Sequence, residues 1–124
     1  MAKILIVDDE VEIRLLLSDA FRLEYHIDDI TTAADGLDAY HLCQLHKFDL
    51  ICLDHMMPYF KGADFLTALR NKEGINKDTP VIMISAYIPD ISDTHKTSHH
   101  TLFLEKPVDP DRLKRYVKIS LVNS

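Results

Sequence analysis

Charged and hydroxyl side chains stand at the ends of four short apolar segments of this 124-residue chain. These side chains belong to Asp8, Asp9, Asp54, Ser85 and Lys106. Carboxylates that lie close together stay ionised at low cost only when a cation sits among them, and hard oxygen ligands favour Mg²⁺. A carboxylate beside Mg²⁺ can attack a phosphoryl group, while an ammonium and a hydroxyl contact the phosphoryl oxygens. The residue types therefore indicate phosphoryl transfer to an aspartate.

Asp54 ends the apolar run of the segment DLICLDHMMP, residues 49–58. Burying an unpaired charge is expensive, so this carboxylate either faces water at the mouth of a strand or is paired with a positive group. We expect Asp54 to lie at the mouth of the strand, above a crevice, and not to be buried within it.

Five short segments without polar alternation predict strands that are buried on both faces, as in a parallel sheet. They are KILIV (3–7), IDDITTA (27–33), DLICL (49–53), PVIMIS (80–85) and TLFLE (101–105), and the more polar second segment is typical of an edge strand. Helical spacing of apolar residues predicts helices over 10–23, 36–46, 62–70 and 110–122. Strands alternating with helices indicate one α/β domain over residues 1–124, in which the strand ends share one edge.

Residues 86–100 interrupt this regular alternation. They contain Pro89 and many Ser, Thr, Asp and His residues, which are weak helix formers. We expect a short, irregular or mobile helix there.

Composition excludes several classes of protein. A formal net charge of −6 argues against direct binding of nucleic acid, which rests on Lys and Arg. No segment approaches the roughly 20 apolar residues of a membrane span, and no export signal is visible, so we expect a cytoplasmic protein. Cys43 and Cys52 lie in apolar contexts and are predicted to be reduced core residues.

Four motifs together resemble the receiver domain of two-component response regulators. They are ILIVDDE, LDHMMP with Gly62 eight positions after Asp54, ISA at Ser85, and FLEKP. The resemblance covers essentially the whole chain in order and spacing. It implies a flavodoxin-like three-layer sandwich, with a five-stranded parallel sheet in the order 2-1-3-4-5 and helices on both faces.

The resemblance also implies a role for each matching residue. Asp54 matches the phosphoacceptor, Asp8 and Asp9 match Mg²⁺ ligands, and Met56 matches the position whose backbone carbonyl completes the metal shell. Lys106 matches the catalytic lysine, followed by a cis bond to Pro107. Ser85 matches the switch hydroxyl, and Phe103 the aromatic residue that turns inward when this hydroxyl moves.

Met56 and Tyr87 occupy the positions that flank the path of an attacking water in the family. Neither can orient water, so we expect slow loss of the phosphoryl group.

The resemblance predicts a signalling switch that catalyses only its own phosphorylation and dephosphorylation. Its partners would be a sensor histidine kinase or a histidine phosphotransfer protein, and a downstream protein effector. Alternatives are a phosphorelay intermediate, a receiver fragment of a longer DNA-binding regulator, and a binding module that never uses phosphate. A Mg²⁺ hydrolase is a further alternative, although no second acid is positioned as a general acid or base.

Overall fold

A computed structural model describes residues 2–57, 60–71, 73–86 and 100–122 of the chain. Within these ranges the strands are β1 (Lys3–Val7), β2 (Asp29–Ala33), β3 (Leu50–Asp54), β4 (Val81–Ser85) and β5 (Thr101–Glu105). The helices are α1 (Val11–Leu23), α2 (Gly36–Leu45), α3 (Gly62–Asn71) and α4 (Pro110–Val122). The irregular helix predicted over 86–100 lies, apart from Ala86 and His100, outside the described residues.

All five strands form one parallel sheet in the order β2-β1-β3-β4-β5. The predicted fold and strand order are therefore confirmed. β2 lies at one edge and is more exposed than β1, β3 and β4, which the polar residues of its segment predicted. None of the helices in the described ranges is long and apolar enough to cross a membrane.

Each face of the sheet carries its own hydrophobic core, because successive side chains of a strand point to opposite faces. Leu5 and Ile51 pack on one side with apolar residues of α2 and α3. Ile4 and Leu50 pack on the other side with α1 and α4. A strand covered by helices on both faces needs apolar residues at every position, which explains the unalternated segments in the sequence.

The strand register brings the polar strand ends together. Val7 pairs with Leu53, so the residues that follow them, Asp8 and Asp54, are neighbours across the sheet. Asp54 pairs in turn with Ile84, which places Ser85 one position further along β4. The carboxyl edge of the sheet thus collects these side chains.

Strand β2 begins at Asp29, two residues later than the sequence predicted, because Ile27, four residues after the end of α1, is bonded back to that helix. The N–H of Ile27 donates a hydrogen bond of 2.9 Å to the carbonyl of Phe21. The chain turns back for this contact at His26, whose φ of 58° lies in the left-handed region. This conformation costs a residue with a Cβ roughly 1–2 kcal/mol, because the Cβ lies too close to the backbone, and glycine avoids this cost.

Replacing His26 with glycine should therefore stabilise the protein. The expected gain in the free energy of unfolding is about 0.5–1 kcal/mol, since the steric relief exceeds the entropy cost of glycine. Chemical denaturation followed by circular dichroism measures it. The control is His41→Gly, at an exposed position inside α2, which should lose about 1 kcal/mol. A loss of stability in His26→Gly comparable to that of His41→Gly would contradict the explanation.

Candidate functional site

Three carboxylates converge at the carboxyl edge of the sheet. Asp8 and Asp9 follow β1, Asp54 ends β3, and one oxygen from each lies within 4.8 Å of the others. Asp8 is 2% exposed and Asp54 is 4% exposed, whereas Asp9 faces solvent. The acidic cluster predicted from the strand ends is therefore present in the folded chain.

The burial of Asp54 corrects the sequence prediction, which placed this carboxylate outside the buried strand. Asp54 is the last residue of β3 and is buried like the rest of the strand. It tolerates burial because it also has a positive partner: the Nζ of Lys106 lies 3.6 Å from its Oδ1. Of the two alternatives left open by the sequence, the paired charge is the one that the structure shows at this residue.

Lys106 supplies the positive charge of the site. Its Nζ lies 3.8 Å from Asp8 Oδ2 as well as close to Asp54, and its side chain is 25% exposed. The backbone N–H of Lys106 donates a 2.6 Å hydrogen bond to the carbonyl of Ser85, and the bond to Pro107 is cis, as predicted. Among the described residues, this one ammonium forms ion pairs with two of the three carboxylates of the cluster, so these residues leave an excess of negative charge.

The protonation behaviour of the carboxylates reflects mainly their burial. Burial, reinforced by the neighbouring charge of Asp54, raises the pKa of Asp8 from 3.8 to about 6, although the N–H of Glu10 and the Lys106 ammonium oppose the rise. Burial is also the main cause that raises the pKa of Asp54, while Lys106 and the N–H of Met56 oppose it. A divalent cation among these oxygens would favour their ionised forms.

Ser85 contributes a buried hydroxyl at the end of β4. The residue is 1% exposed, and its Oγ has no hydrogen-bond partner within the described part of the chain. Leaving a buried hydroxyl unpaired costs about 1–3 kcal/mol. An acceptor that arrives with a ligand, such as a phosphoryl oxygen, would satisfy it.

Arg14 is a residue of the site that the sequence did not indicate. Its Nη1 donates a 2.6 Å hydrogen bond from α1 to the carbonyl of Asp8. The carboxylate of Asp8 in turn accepts a 2.8 Å hydrogen bond from the N–H of Glu10. These bonds hold the acidic turn after β1 in place. The only signal in the sequence was a cation six residues after Asp8, which many helices show by chance.

Comparison with known proteins agrees with this geometry. Residues 4–118 match the family model described as the response regulator receiver domain. The chain belongs to the response regulator receiver domain family.

Curated relatives of this receiver domain include an uncharacterized response regulatory protein of Staphylococcus epidermidis, 35% identical over 121 residues that cover 96% of this chain and 46% of the relative. The transcriptional regulatory protein HptR of Staphylococcus aureus is 35% identical over 92% of this chain and 44% of its own length. The receiver domain thus spans a little under half the length of these relatives.

Solved structures are similar over the whole domain. The receiver domain of the Francisella response regulator 1452 superposes with a TM-score of 0.79 and 32% identity, covering 100% of both chains. The chemotaxis response regulator CheY4 of Vibrio cholerae has a TM-score of 0.78 and 32% identity, covering 98% of this chain and 99% of its own.

The β3–α3 loop, residues 55–61, follows Asp54 in this receiver domain. The N–H of Met56 donates a 3.3 Å hydrogen bond to Asp54 Oδ1, and the side chain of Met56 is 45% exposed. The Nδ1 of His55 accepts a 3.2 Å hydrogen bond from the N–H of Ala63 in the first turn of α3. Burial, the largest cause, lowers the pKa of His55, which favours the neutral ring that this hydrogen bond requires.

The donor set of the site fits Mg²⁺. Mg²⁺ prefers carboxylate and carbonyl oxygens, and Asp8, Asp9 and Asp54 bring carboxylate oxygens within reach of one ion. Receiver domains typically bind Mg²⁺ at such an acidic pocket. The carbonyl of Met56 remains the predicted fourth ligand.

The predicted switch residues differ in what the structure shows of them. Ser85 lies at the same edge of the sheet as the carboxylates, and its carbonyl accepts the hydrogen bond from the N–H of Lys106. Phe103 is half-buried and packs against the core beneath α2 and α3, so its switch role stays a prediction. Tyr87 lies outside the described residues.

The raised pKa of Asp8 predicts how the stability of the metal-free protein depends on pH. Its folded-state pKa of about 6 lies above the unfolded value of 3.8, so the associated stability is fully present below pH 3.8 and is lost as pH rises through 6. Asp8→Asn keeps an oxygen that can accept from Glu10 and removes the charge. In EDTA at pH 7 it should raise the free energy of unfolding by roughly 1–3 kcal/mol.

Denaturation of wild type and Asp8→Asn between pH 5 and pH 7 measures this effect, with the exposed Asp19→Asn as the control. Saturating Mg²⁺ should reverse the order, because only the wild type keeps the full set of ligands. If Asp8→Asn is less stable than wild type in EDTA at pH 7, the electrostatic interpretation is wrong.

Proposed function

We propose that this receiver domain accepts a phosphoryl group on Asp54 in the presence of Mg²⁺. The donor would be the phosphohistidine of a sensor histidine kinase or of a histidine phosphotransfer protein. The observation that carries the proposal is the grouping of Asp8, Asp9 and Asp54 within 4.8 Å, with the Lys106 ammonium 3.6 Å from Asp54. This grouping supports acceptance of an anionic phosphoryl group at Asp54 better than any other chemistry.

In the proposed step a carboxylate oxygen of Asp54 attacks the phosphorus of the donor. A new P–O bond forms, the P–N bond to the histidine breaks, and its electron pair returns to the imidazole, which takes up a proton. The product is an acyl phosphate. Later attack of water on the phosphorus would release inorganic phosphate and restore the Asp54 carboxylate.

The residues around Asp54 have separate roles in this step. Lys106 would move its ion pair from the carboxylate to the phosphoryl oxygens, and the buried Ser85 hydroxyl would donate to one of them. Bound Mg²⁺ would neutralise charge on the phosphoryl oxygens. Asp8 and Asp9 would hold the ion, together with the carbonyl of Met56.

Phosphorylation is proposed to change the surface that meets a downstream protein effector. Movement of the Ser85 hydroxyl toward the phosphoryl group, with an inward turn of Phe103, would bias two states of that surface. The domain would act as a cytoplasmic signalling switch. Its catalysis would be limited to its own phosphorylation and dephosphorylation.

Incubation with Mg²⁺ and acetyl phosphate, followed by intact mass measurement, tests the central claim. Wild type should gain one phosphoryl group, and Asp54→Asn should gain none because the nucleophilic oxygen is lost. The control is Asp38→Asn in the exposed first turn of α2, which should behave as wild type. If wild type gains no phosphoryl group from either acetyl phosphate or a phosphorylated histidine kinase, the proposal is wrong.

The identity of Met56 predicts slow loss of the phosphoryl group. The side chain is half-exposed beside Asp54 and has no group that orients water. Met56→Asn should therefore shorten the phosphorylated half-life severalfold, measured by intact mass after the donor is removed. Leu45→Asn, at an exposed position on α2, serves as the control. Equal half-lives for wild type and Met56→Asn would show that this side chain does not govern hydrolysis.

A second candidate is that the same receiver works as part of a longer DNA-binding regulator. The observation in its favour is the length of the curated relatives, which this chain matches over 46% and 44% of their sequences. The mass of the natural protein, detected in cell extract with an antibody against this domain, distinguishes the two cases.

A further inference from the structure

The β3–α3 loop is held by a backbone hydrogen bond that joins its two ends and by a contact of Phe60 with helix α2. The N–H of Gly62, the first residue of α3, donates a 2.9 Å hydrogen bond to the carbonyl of His55, the first residue of the loop. A Cβ on Gly62 would lie 2.7 Å from His55 Cα and 2.8 Å from the Asp54 carbonyl oxygen. The loop therefore closes directly onto the residue proposed to accept the phosphoryl group.

Near the end of the loop, Phe60 rests on Gly36, the first residue of helix α2. A Cβ on Gly36 would lie 2.6 Å from Phe60 Cδ1, 2.8 Å from the Phe60 carbonyl oxygen and 3.1 Å from Phe60 Cβ. The backbone of Gly36 does not itself require glycine, because no glycine of the described residues has a positive φ. Space for Phe60 is thus the reason for glycine at position 36.

We propose that Gly36 is a positioning residue for the phosphorylation site. It has no Cβ, so Phe60 can seat against the start of α2, and this contact holds the β3–α3 loop so that Asp54 and the Met56 peptide keep their places. The part of this inference that concerns metal binding rests on the proposed function. The part that concerns the loop does not.

The contact constrains the loop because neither side can yield easily. Rotation of the Phe60 side chain would relieve the contact with its ring but not the contact with its carbonyl oxygen. Helix α2 is fixed at its start by the Asp35 carboxylate, which accepts a 2.8 Å hydrogen bond from the N–H of Asp38, and by Ala39, which is 0% exposed. The Phe60 ring also packs edge to face on Phe65, with centroids 6.4 Å apart. An added methyl group would therefore displace the loop.

The test compares Gly36→Ala with Gly74→Ala. A Cβ on Gly74 meets no atom within 4 Å, so the second variant makes the same chemical change without the clash. Titration with Mg²⁺, followed by NMR of backbone amides, should show about tenfold weaker binding in Gly36→Ala, the typical loss when a residue that supports the ligands of a metal is changed. Gly74→Ala should bind as wild type does.

A second control separates a specific effect on the loop from a general loss of stability. Val117→Ala removes buried methyl groups from the core beneath α1 and α4. It should lower the free energy of unfolding and leave Mg²⁺ affinity unchanged. If Val117→Ala weakens Mg²⁺ binding as much as Gly36→Ala does, Gly36 has only a structural role and the inference is overturned.

Hydrogen exchange separates failure of this inference from failure of the proposed function. Three backbone amides donate hydrogen bonds to His55. Those of Met57 and Gly62 donate to its carbonyl, at 3.1 and 2.9 Å, and that of Ala63 donates to its Nδ1, at 3.2 Å. They should exchange faster in Gly36→Ala than in wild type and Gly74→Ala, whether or not Mg²⁺ binds. If wild type binds no Mg²⁺, the proposed metal site is wrong, and the exchange rates of these amides alone test the inference. Unchanged exchange in Gly36→Ala overturns it.

A double variant tests whether Gly36 acts through Phe60. Phe60→Ala alone should loosen the loop, and adding Gly36→Ala should cause a smaller further loss than Gly36→Ala causes in wild type, because the overlap with the ring is gone and only that with the Phe60 backbone and Cβ remains. Full additivity of the two effects on amide exchange would show that Gly36 acts elsewhere.

Discussion

Two buried carboxylates share the ammonium of Lys106 at the carboxyl edge of the sheet. Asp8 and Asp54 are neighbours because β1 and β3 pair in parallel, and Lys106 approaches both from the residue after β5. Such a group is electrostatically unfavourable by itself, as the raised pKa of both acids indicates. A divalent cation bound among these oxygens would compensate the excess of negative charge.

The sheet can hold this group because its interior is apolar on both faces. The central strands are buried except at Lys3 and supply two separate cores, so the polar residues are confined to the strand ends. Backbone contacts then set the finer geometry. Arg14 fixes the turn after β1, while Gly62 and Gly36 let the loop after β3 lie against neighbouring backbone. Small residues are needed at these points because the approach is closer than a Cβ allows.

Several features of the site follow from the sequence, and others do not. The five strands, the helices and the grouping of Asp8, Asp9, Asp54 and Lys106 were all predictable, because apolar patterning and strand ends are local signals. The predicted exposure of Asp54 was wrong. Burial depends on which atoms of other strands surround the carboxylate, and Lys106, 52 positions away in sequence, provides the partner. The hydrogen bond from Arg14 and the space left by Gly36 were not visible either.

The sequence by itself determined the class of fold and the chemical identity of the site, because both rest on residue types at regular spacing along the chain. The tertiary structure decided how deeply Asp54 is buried, which groups oppose its charge, and which backbone segments touch. Those properties depend on distances between parts of the chain that are far apart in sequence. The β3–α3 loop illustrates the division: its motif was readable in sequence, but its support by α2 depends on a contact between Phe60 and Gly36 that only folding creates.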